Sequence, residues 1–401
     1  MGLLAKQLKA WGRNDVIEAL KHHEIDLHTY GHSLHPMINE YTDVEDFEQA
    51  RKEVIRQETE ALRLIGETFG TERVYAAVPP GNSKSYAAMY AYADMGIPVY
   101  ADTFCDPADG SGSHYCNIFH MDYAYCFESN LFDGDKKEID AVIDRLSARK
   151  RAVVYTHPNA SLFEEWWDIL NYDKENLCEF GKWKACKRRP AEKSEKFFEN
   201  LDYFVERIRN DSRFNIVTYA DVAKKIAEEK PRVITRKDLY EIKKQLDEKL
   251  FPVCSPDSFS LSDIFCACAD LLKGKDEHIC GKVYGFLSQP YAAESEITVT
   301  ADEIVKSAGA LGDGTFLPEK IKIGEKELGP ADWLMAALDI LCGANESTVR
   351  PKNQLPCLDI LPQVRDCSFK GTWRHSDKFE DEYLSDRLRL QSWTMRFYHN
   401  F

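Results

Sequence analysis

Along residues 1–228 the apolar positions switch between two periods. Stretches with an apolar residue every three or four positions predict helices over 6–22, 44–69, 82–94, 136–148, 194–210 and 220–229. Short β-branched or aromatic runs between them predict strands over 25–28, 74–78, 98–104, 152–156 and 215–218. The aromatic stretch 117–127 follows neither period and is expected to be a loop with one short strand. Short apolar strands followed by amphipathic helices indicate an α/β fold, a barrel or a doubly wound sheet, in which working groups collect at the C-terminal ends of the strands. His28, Pro80, Asp102 and His157 all fall at or just past such ends.

The pattern changes near residue 229. Residues 229–249 are charge-rich and expected to be helical, and 251–260, FPVCSPDSFS, has the composition of a linker. Beyond it, Ser260 and Thr300 each open a stretch with an early acid and an apolar face, predicting N-capped helices over 260–272 and 300–311. Ile321 and Ile323 alternate ahead of Gly324 as in a small hairpin, and a further helix is expected over 330–342. The expected organisation is an α/β unit over 1–228, a helical linker over 229–259 and a smaller α+β domain over 260–401.

Composition narrows the partners. The chain is 44% apolar, enough for a core in each unit. Its 67 acidic against 52 basic residues give a formal charge of -15, which opposes binding to nucleic acid or an anionic membrane, so no nucleic-acid partner is expected. No apolar run approaches the roughly 20 residues that span a bilayer. The opening MGLLAKQLKAWGR is too polar for a secretory h-region, so the chain as written is expected in the cytoplasm. Twelve cysteines at irregular spacings, with no Cys-x-x-Cys, suit reduced, mostly buried thiols better than a disulfide framework.

Histidines carry the strongest chemical signal. Five of eleven lie between residues 22 and 35, and His28 and His32 follow a predicted strand four positions apart. A turn there aims both imidazoles at one point, and two neutral imidazoles with open positions suit a hydrolytic divalent metal. Taken alone, such a pair is more commonly a turn with surface histidines. Further motifs change that balance. HEIDLHTYGHS, residues 23–33, resembles the second motif of the NodB-homology polysaccharide deacetylases, and the resemblance makes His28 and His32 the metal ligands. VPPGN, residues 78–82, resembles the family's Arg-x-Pro-x-Gly loop with Val78 in place of the arginine, which makes Pro80, Gly81 and Asn82 substrate-side loop residues. By its residues alone it is a rigid turn. YAYADMGIPVYADTF resembles the helix, turn and strand that follow, with Asp102 at the strand end. VVYTHP, residues 153–158, resembles the last motif, whose histidine is the general acid, here His157. Trp166, with Phe163 and Trp167 beside it in FEEWWD, is expected to wall a sugar cleft, against the plainer reading of such aromatics as core.

The resemblance covers residues 1–228 and implies an incomplete NodB-type (β/α) barrel, a divalent metal such as zinc or cobalt, and hydrolysis of acyl groups from N-acylated sugars, with a carbohydrate as partner. The family's first motif, an Asp-Asp pair, has no counterpart here, and the opening residues resemble the stretch after the second strand. The expectation is therefore an N-terminally truncated unit whose metal is weakly held, with activity belonging to the full-length form. The alternative from another class is a non-catalytic carbohydrate-binding or scaffolding protein on a degenerate deacetylase fold. No Gly-x-Ser-x-Gly elbow points to a serine hydrolase. Nothing in the sequence fixes an oligomeric state.

Overall fold

The computed structural model describes residues 1–102, 109–172, 182–311, 314–350, 353–359, 361–369, 375 and 379–398, with the side chains of Asn82 and Tyr172 outside that set. Six short strands organise the first unit: β1 (Ala76–Ala77), β2 (Val99–Ala101), β3 (Ser113–Tyr115), β4 (Ile118–Met121), β5 (Tyr123–Cys126) and β6 (Val153–Tyr155). Leu27 bridges Ala77 in parallel, β1 pairs in parallel with β2, and β2 in parallel with β4. The chain leaves this sheet at Asp122, and β5 pairs in parallel with β6. β3 turns back antiparallel on β4, and Arg396–Phe397 adds antiparallel to β3. The protein is thus a mixed α/β structure with small sheets, and no closed barrel forms among the described residues. Ala76, Val99, Ala101, Ile118, Phe119 and Met121 are all buried, which is why these strands read as continuous apolar runs rather than as alternation.

Helices cover the parallel strands. Phe47–Phe69 starts where the Asp46 carboxylate accepts the Gln49 N–H at 3.1 Å, and its buried stripe includes Val54, Ala61 and Ile65. Gly2–Ala10 packs against it so closely that a Cβ on Gly2 would meet the Ala61 Cα at 2.8 Å. Lys136–Ser147 and Ala191–Arg209 build a core against β5 and β6 around Phe127, Leu131, Ile139, Val142 and Phe197.

Several expectations need correction. The helix over 6–22 is two helices, Gly2–Ala10 and Asn14–Leu20, broken where Gly12 takes a left-handed φ of 64°. No strand forms over 215–218; Ile216 and Val217 lie 65% and 47% exposed without a ladder partner, so their β-branched composition was not matched by burial. Residues 229–249 are not all helical. The β-branched Val233–Thr235 pairs antiparallel with Glu277–Ile279 before the helix Leu239–Glu248 begins. The stretch 251–260 is no loose linker, because Val253 and Phe259 exchange backbone hydrogen bonds of 3.0 and 2.9 Å and are buried in a second core. That core follows expectation elsewhere: helices Leu261–Leu272, Ala301–Ala310 and Pro330–Leu341, and a hairpin pairing Ile321–Ile323 with Lys326–Leu328.

The last described segment joins the two cores. Leu384, Leu388, Met395 and Phe397 lie in the first, whereas Leu390 and Trp393 lie in the second. Between them Gln391 Oε1 accepts the Tyr90 hydroxyl at 2.8 Å and the Gly285 N–H at 3.0 Å, and its Nε2 donates to Phe286 O at 2.8 Å. Among the described residues no helix is long and apolar enough to cross a membrane. No two of the described cysteines are joined in a disulfide; Cys116 and Cys268 are buried, and Cys254 and Cys342 are exposed.

Candidate functional site

Parallel strands deliver their next residues to one edge, and here that edge opens onto a cavity of about 390 Å³. Its lining includes His28 after the Leu27 bridge, Val78 and Gly81 after β1, Asp102 after β2, Tyr123 at the start of β5, and Tyr155 and His157 at β6. Trp166 and Asp168, from the segment that follows, complete one wall. The structure therefore gathers His28, His32, Gly81, Asp102, His157 and Trp166 around one space. Pro80 begins the 3-10 turn Pro80–Asn82 beside it, while the Asn82 side chain lies outside the described residues. Of the neighbouring aromatics, Trp167 packs on Trp183 with ring centres 5.7 Å apart, and Phe163 bridges Arg188. A larger cavity of about 540 Å³ in the second unit has lysines, Asp270 and Cys266 but no histidine among its described lining residues, so the convergent chemistry lies in the smaller one.

Hydrogen bonds fix what each histidine presents. His28 Nδ1 lies 2.9 Å from the Val78 carbonyl, which can only accept, so Nδ1 carries the proton and Nε2 the lone pair. Burial, with His32 and then the chain's amino terminus adding to it, lowers the His28 pKa to about 3, and the ring is neutral at ordinary pH. His32 Nδ1 lies 2.9 Å from Ser33 Oγ, which donates to Asp168 Oδ2 at 3.3 Å. Because the Ser33 hydroxyl donates to Asp168, it accepts from His32, which places a proton on Nδ1. The two imidazoles meet edge to face, with ring centres 4.7 Å apart. The turn carrying them is strained: Thr29 and His32 adopt φ of 51° and 53°, a left-handed conformation that costs non-glycine residues about 1 kcal/mol or more each. The Thr29 hydroxyl accepts the His32 N–H at 3.1 Å and helps hold it.

Three acids and a lysine complete the picture, and only Asp102 among them was singled out from the sequence. Lys84 Nζ lies 2.8 Å from Asp102 Oδ2, with side chains only 8% and 3% exposed. Glu128 Oε1 lies 2.6 Å from His157 Nδ1 and also accepts the His157 backbone N–H at 2.9 Å. Burial pushes the Glu128 pKa up, but these bonds outweigh it and hold the carboxyl below its ordinary value. Trp166 stands edge-on to His157 at 4.6 Å. The signals for the missed residues were present. Glu128 follows an aromatic run that is in fact strand, Lys84 sits two residues past the Pro-Gly-Asn loop, and Asp168 ends the FEEWWD stretch.

As a metal site, the His28 and His32 pair has the right donor type: two imidazoles, each oriented through Nδ1 by an outer partner. Among the described residues, the group of three whose ligand atoms all lie within 4.8 Å of one another is a different one, Cys126, Glu128 and His157. No family model, curated protein or solved structure matches the chain.

Proposed function

We propose that the chain is a metal-dependent hydrolase of the polysaccharide-deacetylase type that removes acyl groups from N-acylated sugars. The observation that carries the reading is the meeting of His28, His32 and His157, brought from distant motifs to one cavity at the ends of parallel strands, with Trp166 beside them. The parallel pairings of Leu27 with β1, β1 with β2 and β2 with β4, and separately of β5 with β6, support reading the first unit as an open portion of a NodB-type barrel, followed by a smaller α+β unit.

In this reading His28 and His32 would hold a divalent ion, zinc, cobalt or similar, which would supply Lewis-acid chemistry at the acyl carbonyl. The chain's own groups do the rest. His157, oriented by Glu128 through Nδ1, keeps Nε2 to pass a proton to the leaving amine. Asp168 accepts the proton of the attacking water, because Asp102 is already neutralised by Lys84 at 2.8 Å. Trp166 offers an aromatic face to a pyranose ring, and Gly81, with no side chain, leaves room for it.

The test is equilibrium dialysis of the purified chain with zinc or cobalt, followed by acetate release from N-acetylglucosamine oligomers. His28→Ala and His32→Ala are each expected to weaken ion binding by roughly 100-fold. His157→Ala is expected to keep the ion and lose acetate release. An ion bound without turnover of any acylated sugar would favour the carbohydrate-binding alternative and end the hydrolase reading.

A further inference from the structure

Beside the cavity lies a trio that the hydrolase reading uses only in part. We propose that Cys126, Glu128 and His157 form a second metal site, selective for zinc or another thiophilic divalent ion, and that filling it withdraws His157 from the reaction. The inhibition rests on the function proposed above; the site itself does not.

The fold brings the three ligands together by the same logic as the main site. Cys126 ends β5, Glu128 opens the helix Glu128–Phe132, and His157 lies two residues past Tyr155, which is in register with Cys126 across the parallel β5–β6 pair. Their ligand atoms lie within 4.8 Å of one another. Tetrahedral zinc with bonds of about 2.0 to 2.3 Å holds its ligands roughly 3.3 to 3.8 Å apart, so small side-chain rotations close the set. The 2.6 Å contact between His157 Nδ1 and Glu128 Oε1 is a short hydrogen bond, and an ion arriving there replaces its proton. The Cys126 Sγ thus lies within 4.8 Å of both a Glu128 carboxylate oxygen and a His157 ring nitrogen. His157 is 45% exposed and Glu128 19%, which leaves a path for the ion and a fourth position for water.

Ligand type sets selectivity. A thiolate favours zinc, cadmium or cobalt over magnesium or calcium, whereas the His28 and His32 pair has no sulfur. The proton of the Cys126 thiol and that of the His157–Glu128 hydrogen bond must both leave, so binding weakens in acid. Because His157 is the group that serves the leaving amine in the reading above, an ion on it stops turnover without displacing the first ion.

Cobalt(II) separates the two sites. Titration of the full chain is expected to show two equivalents bound, the second producing a thiolate-to-cobalt charge-transfer band in the near ultraviolet. Cys126→Ser should lose the band while retaining the first equivalent and the basal acetate release. The His28→Ala, His32→Ala double variant should keep the band and lose the first equivalent. Excess zinc should suppress acetate release in the parent chain, and Cys126→Ser should need about tenfold more zinc for the same suppression. Absence of a thiolate band at saturating cobalt, or an unchanged band in both Cys126→Ser and Cys126→Ala, would overturn the site. A band without zinc inhibition would overturn the regulatory half alone, and a band in a chain with no deacylase activity would leave the site standing while the hydrolase reading falls.

Discussion

Lys84 and Asp102 face each other in a nearly dry part of the cavity floor. A buried ion pair contributes little against an apolar replacement of both partners, but removing one partner takes away the attraction that offsets the other's desolvation. Lys84→Met is therefore expected to cost about 3 to 5 kcal/mol in urea unfolding, and the Lys84→Met, Asp102→Leu double variant to recover most of it. His120 on β4 makes a second prediction. It is buried, its Nε2 lies 3.3 Å from the Tyr115 carbonyl, and burial lowers its pKa from 6.5 to about 3. Between those values the unfolded chain binds a proton that the folded chain does not, so stability falls as pH falls from about 6.5 toward 3. His120→Gln is expected to flatten the fall between pH 6 and 4.5 by up to about 1.4 kcal/mol per pH unit, read from urea midpoints at each pH. At this scale the sequence was legible where a residue type and a strand end coincided, as for His28, Pro80, Asp102 and His157, all at or beside the cavity. Lys84, Glu128 and Asp168 lie in or beside stretches the sequence marked, but their roles arise from the neighbour each meets across the fold.

Helix signals written locally were the most readable elements. Ser260 caps Leu261–Leu272 by accepting the Asp263 N–H at 3.0 Å, and the Asp263 carboxylate answers on the Ser260 N–H, also at 3.0 Å. Ser260→Ala is expected to lower stability by about 1 to 2 kcal/mol in thermal or urea melts, with Ser260→Thr largely restoring it. Strands were harder. β1 is two residues long, and β3 was not anticipated at all, because its Ser-His-Tyr sequence carries no apolar run and its place is set by β4 on one side and Arg396–Phe397 on the other. Apolar composition also misled in the opposite direction at Ile216 and Val217, which no neighbouring strand covers. Three-residue strands are specified by the sheet that receives them more than by their own pattern.

At the scale of the molecule, the closing segment ties the two cores into one system. Arg387 donates from Nη1 to Val44 O at 3.0 Å and from Nε to Leu287 O at 3.2 Å, and Trp393 fills the second core while Leu388 and Met395 fill the first. One cooperative calorimetric transition is expected rather than two, and Trp393→Ala, at a cost of about 3 to 5 kcal/mol, should lower the melting of both units together. A chain stopped after Tyr383 should lose the near-ultraviolet dichroism of both units and bind a dye specific for exposed apolar surface.

Such a closure has a consequence during synthesis. A first unit whose sheet is finished by Arg396–Phe397 cannot complete its fold while those residues are still unmade. Until Arg396–Phe397 emerge from the ribosome, the nascent chain carries β3 bare on one edge and apolar side chains uncovered, a natural client for ribosome-associated chaperones.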